Sequence, residues 1–156
     1  MVGCGFEGLT CSHYLSRLGY QVALLDEATD YRKTEVFTKY KDLPDEVKQR
    51  ELSDIMLPST EFKGNFIIKD ANQLTELSSN YHAVYITKQF EGKRPENGLA
   101  QRLKNVVVET TDLSDPKNSC KVAYAIEKGR KAAMKINILL QKEKQFQASA
   151  LKPEAG

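Results

Sequence analysis

Apolar residues along this chain fall alternately into short continuous runs and into stripes at helical spacing. The runs are Val22-Ala23-Leu24-Leu25, Phe66-Ile67-Ile68, Ala83-Val84-Tyr85-Ile86 and Asn105-Val106-Val107-Val108. Short, largely β-branched runs of this kind predict strands buried on both faces of a parallel sheet. Between them, Leu9, Leu15 and Leu18 share one side of a helix that Gly19 ends. Pro44, followed by Asp45 and Glu46, starts a second helix, whose Val47, Leu52, Ile55 and Met56 form an apolar side up to about Pro58. Asp70 or Asn72 caps a short helix carrying Leu74 and Leu77. The longest stripe (Val122, Ala125, Ile126, Ala132, Ala133, Ile136, Leu139, Leu140) predicts a helix from about Ser119 to Glu143. Its Lys128, Arg130, Lys131, Lys135 and Lys142 fall mostly off that stripe, as on a solvated face. The stretches Glu27–Lys41, Lys88–Gly98 and the one holding Asp112, Asp115 and Pro116 are loop-like, and Gln145–Gly156 is a polar tail.

Strands alternating with helices predict an α/β fold with ligands at the carboxyl ends of the strands. The candidate chemistry sits at the very start, in Gly3-Cys4-Gly5-Phe6-Glu7-Gly8, with Asp26 closing the next apolar run. In such a turn the first glycine permits a tight exit from a strand, the second a close approach of pyrophosphate to backbone, and the third close packing of the following helix. An acidic residue at the end of the next strand accepts hydrogen bonds from an adenosine ribose. Three glycines alone are weak; the helix, the glycine stop and the strand that follow make the pattern more specific. The expected fold is therefore an abbreviated Rossmann-like parallel sheet with helices on both faces, of the FAD/NAD(P)-binding type. Only Met1 and Val2 precede Gly3, against about five residues in an ordinary strand, so the first strand is a stub or the chain a fragment.

Composition narrows the partners. The 156 residues suffice for one domain, expected over 1–144 with a flexible tail at 145–156, and not for two dinucleotide-binding domains. A net charge of +2 gives no electrostatic reason to capture nucleic acid or an anionic membrane, and the apolar runs are too short to cross a bilayer. Cys4, Cys11 and Cys120 are an odd number without a CxxC pair, which fits a reducing compartment, cytoplasmic or an organelle matrix. With His13 and His82 they make no zinc or iron–sulfur ligand set. Cys4 reads as a small side chain packed in the turn rather than as a reactive thiol, and His82 as a strand-edge residue.

The order of motifs resembles the FAD-binding half of the glutamate synthase small-subunit family, a branch of the flavoproteins with two dinucleotide-binding domains that includes the flavin module of dihydropyrimidine dehydrogenase. Four stretches carry the resemblance: Gly3 to Leu9 with Tyr14-Leu15 and Leu18 to Val22; Leu43 to Val47 with Arg50-Glu51-Leu52; Asn80 to Ile86; and Thr111-Asp112 with Ala125 to Ala133. What the resemblance implies is an FAD site, with Gly3, Gly5 and Gly8 at the pyrophosphate, Asp26 at the adenosine ribose and Asp112 at the ribityl or phosphate-proximal hydroxyls. The last helix would point its N-terminus at the flavin ring. The candidate cofactor-binding set is Gly3, Gly5, Phe6, Glu7, Gly8, Asp26, Glu27, Asp112 and Lys121, with no catalytic or metal-binding residue.

The chain also departs from that family. Where the family inserts an NAD(P)H-binding domain, only Lys88–Lys104 joins the two flanking strands. NAD(P)H is thus expected only through a partner, among other subunits of an oxidoreductase complex that carry iron–sulfur clusters or bind NAD(P)H. The glycine pair after the second strand is replaced by Asp30-Tyr31-Arg32-Lys33, the Thr-Gly-Ala turn by Thr87-Lys88-Gln89, and the glycine of Ala-Gly-Asp by Thr111. Each adds a side chain where the flavin needs room. Two expectations stand together: an FAD-binding, electron-transferring subunit or fragment, and a non-catalytic structural or assembly subunit that keeps at most a structural nucleotide.

Overall fold

The computed structural model describes residues 1–34, 36, 38, 44–87, 99–108 and 121–150. Helices and short parallel strands alternate: α1 (Phe6–Arg17), β1 (Val22–Leu25), α2 (Asp45–Ile55), β2 (Thr60–Lys63), α3 (Ala71–Asn80), β3 (Val84–Ile86), α4 (Leu99–Arg102), β4 (Val106–Val108) and α5 (Lys121–Ala150). β1 pairs in parallel with β2, Val22 opposite Thr60, and β3 with β4, Val84 opposite Val106.

One residue joins the two pairs. Val2 bridges in parallel both to Leu25 and to Ile86. Its N–H donates to the Tyr85 carbonyl at 2.8 Å, its carbonyl accepts the Thr87 N–H at 3.0 Å, and the Leu25 N–H donates to the Met1 carbonyl at 2.8 Å. Read across, the strands run β2, β1, Val2, β3, β4. The chain thus starts at the centre, works outward through β1 and β2, and returns to the other side for β3 and β4.

Three apolar clusters pack this arrangement. Cys11 and Leu15 of α1 meet Val22, Tyr85 and Ala132, Ala133 and Ile136 of α5. Leu74 and Leu77 of α3 and Ala100 of α4 pack on Val2, Leu25, Val84, Ile86 and Val106. Cys4, Leu9 and Leu24 join Val36 and Leu52 of α2. Tyr85 therefore faces the α1–α5 layer while its neighbours Val84 and Ile86 face α3, the alternation that period-two strands impose.

Close approach of α5 to α1 depends on Gly129, where an added Cβ would lie 2.3 Å from the Glu7 carbonyl oxygen and 2.8 Å from Thr10 Cβ. The Tyr20 hydroxyl, just past the end of α1, also ties to α5 by donating to Asn137 Oδ1 at 2.7 Å. Asp70 caps α3, accepting the Gln73 N–H at 2.9 Å, and Gln73 returns a bond by accepting the Lys69 N–H at 2.7 Å.

Several expectations need correction. The strand lies at Thr60–Lys63, not at Phe66-Ile67-Ile68; the latter is irregular, with the Phe66 N–H on the Asp26 carbonyl and Ile68 buried under α3. Leu18 is 57% exposed instead of sharing the buried side of α1, and the helix ends on it as C-cap. Val47 is exposed while Leu52 anchors α2. A 3-10 turn at Tyr31–Lys33, capped by Asp30, interrupts the expected loop after β1. The last helix continues through the first residues of the expected tail to Ala150.

Candidate nucleotide site at the glycine turn

Asp26 and Thr87 follow directly on β1 and β3, and Gly3 follows Val2, which bridges the two, so all three stand at the carboxyl ends of these neighbours. This is where the direction of strand order reverses. Gly3 has φ of 103°, a backbone conformation that a side chain disfavours, and it turns the chain from the stub into α1. Its N–H donates to the Leu25 carbonyl at 2.8 Å. Gly5 is the N-cap of α1, in extended conformation, and as a glycine it brings no side chain of its own to cap the helix. The helix thus starts from a backbone turn, and its first amides carry the partial positive charge of a helix N-terminus. Gly8 lets the helix lie against the turn, since a Cβ there would stand 1.9 Å from the Gly3 carbonyl oxygen.

The acidic candidates are used inside the protein. Asp26 is 2% exposed; its Oδ2 accepts the Cys4 N–H at 2.7 Å and its Oδ1 the Ala28 N–H at 3.0 Å. A ribose reaching this carboxylate has to share or displace those amides. Glu7 lies in the first turn of α1, where a negative charge suits the helix dipole, but it is buried and accepts a hydrogen bond from the Tyr85 hydroxyl. Phe6 packs on the Cys4–Leu9–Leu24 cluster, and Glu27 is half-buried beside Asp26. Lys121 opens α5, and Asp112 lies outside the described residues, as do 88–98 and 109–120. Gly3, Gly5, Gly8 and Asp26 are brought together; Phe6 and Glu7 contribute backbone to the same turn while their side chains serve the core.

Cys4 sits within the turn as a buried thiol, and burial, reinforced by the Asp26 carboxylate, pushes it up to about 12. It is no nucleophile at neutral pH. Burial likewise pushes the Cys11 thiol up to about 12. Among the described residues no group of three His, Cys, Asp or Glu side chains is placed to hold a metal, and no helix is long and apolar enough to cross a membrane.

Two residues here have only weak sequence signals. Thr87 lies one position past β3 and is 2% exposed, and its Oγ1 has no hydrogen-bond partner among the described residues; a polar residue at a strand's carboxyl end is the signal that marks it. Tyr85, inside an apolar run, has none. A cavity of about 400 Å³ opens at the opposite end of the strands, lined by Met1, Tyr20, Val22, Ala23, His82 and Ala83. No family model, curated protein or solved structure matches the chain.

Proposed function

We propose that this chain is an FAD-binding, electron-transferring subunit or fragment of an NAD(P)H-linked flavoprotein oxidoreductase, similar to the FAD half of the glutamate synthase small-subunit family. The reading is supported chiefly by one observation. An α1 N-terminus whose N-cap is Gly5, entered through Gly3 at φ of 103°, stands at the point where the order of parallel strands reverses. Open parallel sheets bind ligands in that crevice, and backbone amides with a helix dipole behind them favour a pyrophosphate. The strand order β2, β1, Val2, β3, β4 is in keeping with a Rossmann-like sheet.

In this reading Gly5 and Phe6 offer amides to the pyrophosphate, and Gly3 and Gly8 make room for it. Asp26 braces the turn through Cys4 and meets the ribose only by sharing an oxygen. The bound flavin supplies the redox chemistry, while the protein orients it; NAD(P)H and the acceptor belong to partner subunits.

The second reading, a structural or assembly subunit with at most a structural nucleotide, is favoured by the inward use of Asp26 and Glu7. The two are separated by purifying the protein in the presence of FAD and recording its spectrum after gel filtration. The flavoprotein reading expects retained flavin bands that dithionite bleaches, and their loss in Gly5→Leu with the fold intact. A colourless protein, or equal retention by the variant, removes that reading.

A further inference from the structure

The longest helix outruns the sheet on which it packs. At about 1.5 Å per residue the 30 residues of α5 span about 45 Å, against about 13 Å for the four of β1 at about 3.3 Å each. Ala132, Ala133 and Ile136 bury α5 against α1 and Tyr85, and its following turns pass the amino ends of β1 and β3. The cavity of about 400 Å³ lies between those turns and the strand ends, within the range of roughly 300–1,000 Å³ common to small-molecule sites. Its walls are largely apolar. Met1, Tyr20, Ala83 and Leu140 are each half-buried, packed on the Leu15–Val22–Ile136 cluster from one side and lining the cavity from another. Glu143 and Lys144 also line it, and the Lys144 ammonium stands 5.1 Å from the centre of the Tyr20 ring. These opposite charges sit on adjacent residues, so together they give a ligand of either sign little net attraction.

We propose that this cavity is a binding site for an uncharged aromatic molecule of one or two rings, held among Tyr20, Ala83 and Leu140. An apolar ring gains by leaving water for such walls, whereas a charged group gives up hydration that Glu143 and Lys144 together do not replace. Tyr20 and Tyr81, both in the lining, offer rings for offset or edge contact. A rigid ring also has no internal rotations to lose, unlike a flexible chain of the same size. The site does not rest on the nucleotide reading: the cavity opens at the amino ends of the strands, and the glycine turn stands at their carboxyl ends.

The test is titration of the full chain with indole, and with tryptamine and indole-3-acetate as its cationic and anionic counterparts, followed by calorimetry and amide-resolved NMR. Indole is expected to bind once per chain and to shift the amides of Tyr20, Ala83 and Leu140 most. The charged counterparts should bind at least about fivefold more weakly. Ala83→Leu sends a larger apolar side chain into the cavity and should weaken indole binding roughly tenfold or more while keeping the fold. Leu140→Ala removes part of the wall at a half-buried helical position and should weaken binding about threefold or more. It decides the matter if Ala83→Leu does not fold. Absence of saturable indole binding, several molecules bound per chain, equal or tighter binding of either charged counterpart, or unchanged affinity in either folded variant overturns the inference. None of these outcomes bears on the glycine turn, which titration with FAD tests separately.

Discussion

The Asp26 carboxylate holds the Cys4 amide at 2.7 Å, tying the end of β1 to the middle of the glycine turn. The same group takes the Ala28 amide through its other oxygen, so one side chain sets both the exit of β1 and the shape of the turn. Asp26→Ala leaves the buried Cys4 N–H without an acceptor, and the expected loss of stability is about 1–3 kcal/mol. Asp26→Asn keeps one acceptor oxygen but turns an amide donor toward a second N–H, and should fall between the two. Urea unfolding of the three proteins checks the order. Equal midpoints would mean that the turn holds its shape without Asp26.

Glycine matters in two different ways, and alanine substitutions distinguish them. At Gly129 the backbone is ordinary but the space is filled: an added Cβ meets the Glu7 carbonyl oxygen at 2.3 Å. Gly129→Ala should therefore push α5 off α1 and lower stability by about 3 kcal/mol, the upper part of the range for overpacking. At Gly19 the space is open but φ is +88°, so Gly19→Ala should lower stability by only about 1 kcal/mol through backbone strain. Thermal melting ranks the pair, and a larger effect at Gly19 would contradict the tight crossing of the helices.

The buried thiols make stability fall in alkali. Unfolded, Cys4 and Cys11 ionise near 9; folded, burial keeps each protonated up to about 12. Above pH 9 the unfolded chain thus binds fewer protons than the native one, so the thiol contribution is fully present below that pH. It is lost as pH rises toward 12, at up to about 1.4 kcal/mol per pH unit for each thiol. Urea midpoints between pH 8.5 and 10.5 should drop, and drop less steeply in a Cys4→Ala/Cys11→Ala protein. Iodoacetamide at pH 8 should leave both cysteines unmodified until urea is added. Rapid labelling of folded Cys4 would contradict its burial.

Local chemistry made much of this fold readable from the sequence. The Gly3–Gly8 turn, the Val22–Leu25 strand, the Pro44 helix start and the Asp70 cap each depend on residues within a few positions of one another. Thr60–Lys63 carries no continuous apolar signal because β2 lies at the margin of the sheet, half-buried, with Glu61 and Lys63 exposed. Phe66-Ile67-Ile68 is the more apolar stretch, yet pairing with β1 is satisfied before the chain reaches it, and Ile68 contributes to the core without a strand. The site divided along the same line. Its glycines are local signals, whereas the bonds of Asp26 to Cys4 and of Tyr85 to Glu7 join residues 22 and 78 positions apart. No periodicity encodes those pairings, and they decide which acidic side chains remain available to a ligand.

The central claim is that phosphate lies against backbone amides at the start of α1. Amide-resolved NMR of the labelled protein during an FAD titration tests it most directly. The account predicts saturable shifts that are largest at Gly5, Phe6 and Glu7. Silent amides there, or shifts confined to the opposite cavity around Tyr20 and Ala83, would contradict it.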